Sequence, residues 1–418
     1  MKSQKRSRRI RFTIDGTCAN FVHYSNPLVP LAWSFFFPGF GFFLMGQFVQ
    51  GWILFLWEVA VNVTGHFNTA IVYTLTGRPE EATRILEQDG KWVVILYTTT
   101  FVFSLWASYV TAVDTNQLTY LAHGENAPVK VFAMNALQYN YLTKRDPWMA
   151  VIWSLLMPGL GDVYNKRIIS GSTYLIWWII ISYKSHVAGS IYYTALGDFE
   201  SATSILDPEW FSFLASMWVF AAYNAYIHTV ETNKVFDKEQ ANFLRLNYQQ
   251  GVDDLYCGKK DLVDMRVIAT FDHSPYVEMA LVGLERIGIK KNQIYATSLD
   301  KRNETPPFID NIHRSDGQSF LDVASLLAAF LTAVGAIYGF ALKGGPVVWG
   351  LIGFVVGSVA GVAFQLLKRK KRSKERTTPK TEVVVIVDCN NAQADAVQNI
   401  FWHNHAFGIS ASSPQDID

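Results

Sequence analysis

Long blocks of apolar residues dominate positions 27–233, and two more lie between positions 323 and 367. Within a block, the apolar residues occupy all sides of a helix and not one stripe, which is typical of helices surrounded by lipid or other helices. About 20 apolar residues cross the roughly 30 Å of membrane hydrocarbon. The pattern therefore predicts a mainly α-helical, polytopic membrane protein.

The first membrane region recurs in the second at an offset of 120 residues, as Pro27 aligned with Pro147 shows. The other aligned positions include Trp57 with Trp177, Gly77 with Gly197 and Glu80 with Glu200. Chance does not maintain register over such a length, so the region is predicted to be an internal repeat. Two equivalent parts would build the membrane body.

Each repeat has three apolar segments, at 27–47, 51–76 and 92–112 in the first and at 147–163, 171–196 and 210–227 in the second. The second and third segments are predicted to span the bilayer. The first is broken by a turn motif, which is Pro38, Gly39 and Gly41 in one copy and Pro158, Gly159 and Gly161 in the other. Proline and glycine break helices, so this segment is either a kinked span or a re-entrant hairpin.

The choice decides the topology: a span gives eight crossings and inverted repeats, whereas re-entrance gives six crossings and parallel repeats. An Asn-x-Leu-x-x-Asn-Tyr motif follows each repeat, at 135–141 and 242–248. These matching flanks favour parallel repeats with re-entrant first segments. Either topology places both termini in the cytoplasm.

The turn motif resembles the small two-transmembrane-helix domain family. The matching residues are Pro38, Gly39, Gly41, Gly46 and Gly51 in the first repeat and Pro158, Gly159, Gly161, Tyr164 and Gly171 in the second. The resemblance covers part of each repeat and implies short apolar segments joined by a glycine-rich turn. It implies no catalytic residues, because the family has no common activity.

Soluble-domain patterning begins in the last third of the chain. Strand, helix and strand are predicted at 267–272, 275–287 and 293–298, and again at 382–388, 392–404 and 409–412. Two such halves make a ferredoxin-like α+β domain. The apolar blocks between them predict a transmembrane hairpin, with the helix-packing stripe Gly353, Gly357 and Gly361 as a glycine zipper.

This arrangement resembles a bacterial general-stress-protein family with a Gly-rich membrane hairpin inside a ferredoxin-like domain. The resemblance runs from Arg266 onward and includes Phe271-Asp272 and Gly288-Ile289. The predicted organisation is a basic cytoplasmic N-terminus (1–26), repeat 1 (27–116), a linker (117–146), repeat 2 (147–233), a linker (234–262), the first βαβ half (263–322), the hairpin (323–367), and a basic anchor with the second βαβ half (368–418).

Composition narrows the possible functions. The formal net charge is +1, which argues against nucleic acid as a partner. Cys18, Cys257 and Cys389 are widely spaced, which predicts reduced structural thiols. His403-x-His405 is a weak metal signal, because rings two residues apart on a helix diverge, and it is interpreted as a pair of surface residues. The sequence contains no phosphate-binding loop or nucleophile motif, so we expect no catalytic residue, metal or cofactor.

Four ionisable residues inside the apolar segments are the candidate functional residues: His66, His186, Glu58 and Lys184. The histidines occupy equivalent positions, each with a tyrosine seven residues later on the predicted helix. They are interpreted either as structural or interfacial residues or as part of an ion or proton path. Glu58 and Lys184 either pair across the two repeats, or Lys184 extends to the membrane surface.

These features favour an integral membrane scaffold or a regulatory, sensory protein that acts through its cytoplasmic domain without catalysis. We expect a multi-pass location in a bacterial plasma membrane. The expected partners are the lipid bilayer and either further copies of the chain or another membrane protein. The alternative is a transporter or channel with a polar path between the repeats, which requires one wet cavity that encloses the polar candidates.

Overall fold

The computed structural model describes residues 8–88, 91–125, 127–249, 265–299, 320–370 and 383–412. The protein is mainly helical and divides into two compact units. Unit 1 comprises Met1–Tyr141, Arg145–Glu231 and Phe308–Ser373, and unit 2 comprises Leu142–Lys144, Thr232–Pro307 and Lys374–Asp418.

Unit 1 begins with two series of elements in the same order. The first series is β1 (Phe12–Ile14), β2 (Ala19–Phe21), α1 (Leu28–Phe36), α2 (Phe40–Leu44), α3 (Phe48–Gly65), α4 (Phe67–Leu75), α5 (Pro79–Gln88) and α6 (Lys91–Gly124). The second series is β3 (Phe132–Met134), β4 (Tyr139–Tyr141), α7 (Pro147–Leu156), α8 (Leu160–Tyr164), α9 (Ile168–Lys184), α10 (Val187–Leu196), α11 (Phe199–Ser204) and α12 (Pro208–Tyr248).

The turn motif divides the first segment of each series into two short helices. Gly39 and Gly159 precede the second of these helices with φ values of +105° and +99°, in the left-handed region that glycine adopts without strain. The first helix has nine residues in α1 and ten in α7, and the second has five in both series. At 1.5 Å per residue, none of them is long enough to cross the bilayer.

The prediction that each second segment is one long helix was wrong. Each segment is interrupted at its histidine, because His66 and His186 adopt φ values of 51° and 57°. A left-handed residue cannot continue a right-handed helix. Each histidine therefore lies at a corner between two helices, and the tyrosine seven residues later does not share a continuous helix face with it.

The residues predicted as an N-terminal arm and a linker contain two antiparallel strand pairs. In the β1–β2 ribbon, Phe12 lies opposite Phe21, and in the β3–β4 ribbon Phe132 lies opposite Tyr141. The two ribbons are anchored by equivalent hydrogen bonds. Asn20 donates to the carbonyl of Gly46 at 3.1 Å, and Asn140 donates to that of Lys166 at 3.1 Å.

The prediction that the two copies of the flank motif occupy matching positions was wrong. Residues 135–141 form a turn and strand β4, whereas residues 242–248 belong to helix α12. The identical residues of the two copies therefore lie in different secondary structures. The linker predicted at 234–262 is also shorter than expected, because helix α12 continues to Tyr248.

Among the described residues, four helices are long and apolar enough to cross a membrane: α3, α6, α14 (Phe320–Gly339) and α15 (Gly345–Lys370). The sequence predicted that α9 and α12 also span. Neither helix belongs to this group of four: α9 has 17 residues, at the lower end of the length that can span, and α12 carries the polar Asn224 in its apolar stretch. Asn224 is fully buried, since α12 lies inside unit 1 and not at its surface.

Aromatic side chains form the core of unit 1 around α12. The rings of Phe40 and Phe220 stack with centroids 3.9 Å apart, and Phe37 stacks on Phe40 at 4.8 Å. Trp33 is fully buried and contacts Phe220. The two series therefore share one core, to which the hairpin adds Ala328 and Ala329.

The hairpin helices approach closely along the predicted glycine stripe. A Cβ atom at Gly353 would lie 2.0 Å from the carbonyl oxygen of Leu331, and one at Gly357 would lie 2.5 Å from that of Leu327. At Gly361 it would lie 2.4 Å from the Cα atom of Ala324. Only glycine allows the two backbones to approach so closely. In lipid, where the hydrophobic effect does not drive helices together, such close packing stabilises the helix pair.

Gly357→Leu is therefore expected to lower the free energy of unfolding of the full-length protein by about 1–3 kcal/mol or more, through overpacking. Unfolding in detergent measures the effect. Val359→Leu is the matched control on the same helix, because Val359 is 63% exposed. We expect the control to change stability by less than about 0.5 kcal/mol. Equal effects of the two substitutions would contradict the close packing.

Unit 2 contains a four-stranded antiparallel sheet with strand order β6-β7-β5-β8. Its elements are β5 (Met265–Phe271), α13 (Pro275–Arg286), β6 (Ile294–Ser298), β7 (Val383–Cys389), α16 (Asn391–His403) and β8 (Gly408–Ser412). Each predicted strand and helix lies within two residues of these bounds. Alternate residues of β5 (Val267, Ala269 and Phe271) are buried in a core that also contains Leu244 and Tyr248 of α12.

The free cysteines of the described part of the chain are Cys18 and Cys389, and Cys257 lies outside it. Burial raises the pKa of both thiols, which disfavours the reactive thiolate.

Candidate functional site

The four polar candidates do not form one enclosed site. Glu58 is buried, with 4% of its surface exposed, whereas His66, His186 and Lys184 are exposed. No ion pair joins Glu58 to Lys184, both of which the structure describes. The pairing considered from the sequence is therefore not formed.

Glu58 instead begins a buried polar cluster, the Glu58–Glu209 cluster, which also contains Asn62, Asn68 and Thr69. Asn62 donates to the Glu58 carboxylate at 3.1 Å, and its own carbonyl oxygen accepts the backbone N–H of Asn68 at 3.1 Å. Asn68 donates to the backbone carbonyl of Glu209 at 3.0 Å. The backbone N–H and hydroxyl of Thr69 both donate to Oε2 of Glu209, at 2.9 and 3.0 Å.

The corner at His66 explains this geometry. Helix α4 starts there, so the N–H groups of Asn68 and Thr69 have no partner within the helix. Asn62 of α3 and Glu209 of α12 supply the acceptors. A carboxylate at a helix N-terminus is also favoured by the helix dipole. The cluster thus ties the α3–α4 corner to the start of α12.

The second polar cluster, Asp162, Arg167 and Asn224, lies beside the turn motif of the second series. Arg167 donates to the Asp162 carboxylate at 2.6 Å, and the Asn224 amide donates to the same group at 3.2 Å. The side chains of Asp162 and Arg167 are 0% and 2% exposed. This buried ion pair therefore links α8 to the residue that precedes α9, and Asn224 links both to α12.

Sequence analysis missed this second cluster. The signal was available, because Asp162 and Arg167 stand at the positions where the first series has Phe42 and Gln47. Likewise, Glu58 aligns with Trp178, so neither polar cluster has an equivalent at the corresponding positions of the other series.

Two cavities in the described part of unit 1 bear on a polar path, and none of the four polar candidates lines either of them. One is an open groove of about 510 Å³ on α6, lined by Val113, Asn116, Gln117, Tyr120 and Leu121. The other has a volume of about 20 Å³, and Tyr223 and Asp322 are among its lining residues. The smaller one has room for about one water molecule.

Chemically, both clusters can cross-link helices, and the Glu58–Glu209 cluster can also hold a proton. Its second carboxylate has one buried oxygen, Oε1 of Glu209, without a hydrogen-bond partner. Among the described residues, no three histidines, cysteines or carboxylates are grouped to bind a metal ion. No family model, no curated protein and no solved structure matches the chain.

Proposed function

We propose that this protein is an integral membrane scaffold or regulator that acts through unit 2 without catalysis. The observation that supports the proposal is that α12 contributes residues to both units. Its residues up to Glu231 belong to unit 1, where Phe220 lies in the aromatic core, and its later residues Leu244 and Tyr248 lie in the core of unit 2. One helix therefore supplies packed side chains to both units.

We also propose the architecture that the sequence predicted. The strand order and connections of unit 2 support a ferredoxin-like domain interrupted by the hairpin. The equivalent turns, corners and strand ribbons support a duplication that starts near Phe12. We also propose parallel repeats with re-entrant first segments, because the two short helices of each first segment are individually too short to cross the bilayer.

Hydrogen–deuterium exchange on the full-length chain in nanodiscs tests the coupling. Glu209→Gln weakens the tie at the start of α12, so we expect faster exchange in α4 and also in residues 240–249 and 277–285. Glu200→Gln is the matched control, because Glu200 is exposed on α11. Faster exchange in α4 without a change in unit 2 would refute the coupling. Asn224→Ala repeats the test from the other cluster.

A transporter remains the second candidate, because the unpartnered carboxylate oxygen of Glu209 favours proton or cation binding. Ion flux into liposomes that contain the purified protein and a trapped pH or sodium dye distinguishes the two functions. The scaffold proposal predicts no flux above protein-free liposomes. A flux that Glu58→Gln abolishes and Glu200→Gln leaves intact would establish the transporter instead.

A further inference from the structure

The two strand ribbons differ sharply in the exposure of one face. Side chains alternate across a strand, so Phe132, Met134, Tyr139 and Tyr141 share a face of the β3–β4 ribbon. These four side chains are 40–70% exposed, and Leu137 at the turn is 87% exposed. We call these five residues the aromatic face.

The equivalent face of the β1–β2 ribbon provides the internal comparison. Its residues Phe12, Ile14, Ala19 and Phe21 are only 1–8% exposed. The Phe21 ring packs against His228 of α12, at a centroid distance of 5.5 Å. The same ribbon surface is thus covered by protein in one series and uncovered in the other, and a contiguous exposed apolar patch is typical of a partner-binding or membrane-binding surface.

Basic side chains at the aromatic face identify what covers it. The ammonium group of Lys166 lies 4.6 Å from the centroid of the Tyr141 ring and 5.1 Å from that of Tyr139. Lys130 directly precedes the ribbon's exposed residues Val131 and Phe132. Tyrosine rings combined with lysine are typical of the membrane–water interface, where the rings sit among headgroups and the lysine meets phosphate.

The aromatic face also adjoins a helix with exposed apolar side chains. Lys166 lies two residues before α9, whose residues Ile169, Ile176 and Ile179 are 56–58% exposed. The bond from Asn140 to the Lys166 carbonyl holds the ribbon at this end of α9. We infer that the aromatic face lies in the headgroup layer of the membrane and binds an anionic phospholipid surface.

Spin labelling of the full-length chain in nanodiscs tests this inference. A label at Leu137→Cys, with the native cysteines replaced, is compared with labels at two references. Val359→Cys is exposed on α15 and reports hydrocarbon, and Asn399→Cys is exposed on α16 and reports water. We expect a label at position 137 to collide with a water-soluble nickel complex less often than the label at 399 and more often than the label at 359.

The lipid arm uses phosphatidylcholine nanodiscs with and without phosphatidylglycerol. Anionic lipid is expected to increase the protection of the label at position 137, and Lys166→Gln is expected to remove that increase. Protection that does not depend on lipid charge would overturn the anionic preference. Accessibility equal to that at position 399 would overturn the membrane location. Dipolar coupling between labelled copies that disappears on dilution with unlabelled protein would show that a second copy covers the face.

Discussion

Asp162→Ala is expected to lower the free energy of unfolding by about 3–5 kcal/mol, because it leaves the guanidinium of Arg167 buried without its counter-charge. Arg167 cannot reach solvent, since only 2% of its side chain is exposed. Asn224 would also lose its acceptor. Chemical unfolding of the full-length protein in detergent measures the loss.

The double variant Asp162→Leu, Arg167→Met is the control, because it removes both charges and retains the volume. Replacing a buried ion pair by apolar side chains is often neutral or stabilising. We therefore expect the double variant to recover most of the stability lost by Asp162→Ala. If the double variant is as unstable as the single one, the ion pair is not the cause of the loss.

Gly159→Ala is expected to cost about 2–5 kcal/mol, as the sum of left-handed backbone strain of about 1–2 kcal/mol and overpacking of about 1–3 kcal/mol. The residue has a φ of +99°, and a Cβ atom would lie 2.3 Å from the backbone carbonyl oxygen of Gly171. Gly39→Ala is expected to cause a similar loss, because its Cβ atom would lie 2.5 Å from the backbone carbonyl oxygen of Gly51. Unfolding in detergent again supplies the measurement.

Gly197→Ala separates the two contributions to this loss. Gly197 has a similar φ of +80°, but no heavy atom lies within 4 Å of the position of its Cβ. This control should therefore lose only about 1–2 kcal/mol. Equal losses at Gly159 and Gly197 would mean that the turn motif is required for its backbone conformation alone and not for close helix packing.

Much of the fold could be predicted where one local property decides the outcome. In unit 2, α13 was predicted because Pro275 follows Ser274 at its start and because Val277, Leu281 and Leu284 lie on one apolar face. The hairpin followed from apolar length and the glycine stripe. The breaks at Gly39 and Gly159 followed from backbone preference. Each of these signals is contained within a few neighbouring residues.

The candidate site was predicted only in part. Glu58 was identified because an ionisable residue in an apolar segment is unusual, but its partners Asn68 and Glu209 come from other helices. The corner at His66 was not predicted, because the apolar segment continues past it and histidine adopts a left-handed backbone only occasionally. The bonds that α4 makes to Asn62 and Glu209 tie this corner to α3 and α12.

The sequence by itself determined the membrane character, the helix-breaking turns, the close-packed hairpin and the strands of unit 2. These depend on apolar length, on glycine and proline geometry, and on residue alternation. Only the tertiary structure decided which charges are buried together and which ribbon face is covered. Those outcomes depend on contacts between residues far apart in the chain, such as Asn224 with Asp162 and Phe21 with His228. Local sequence patterns do not specify such contacts.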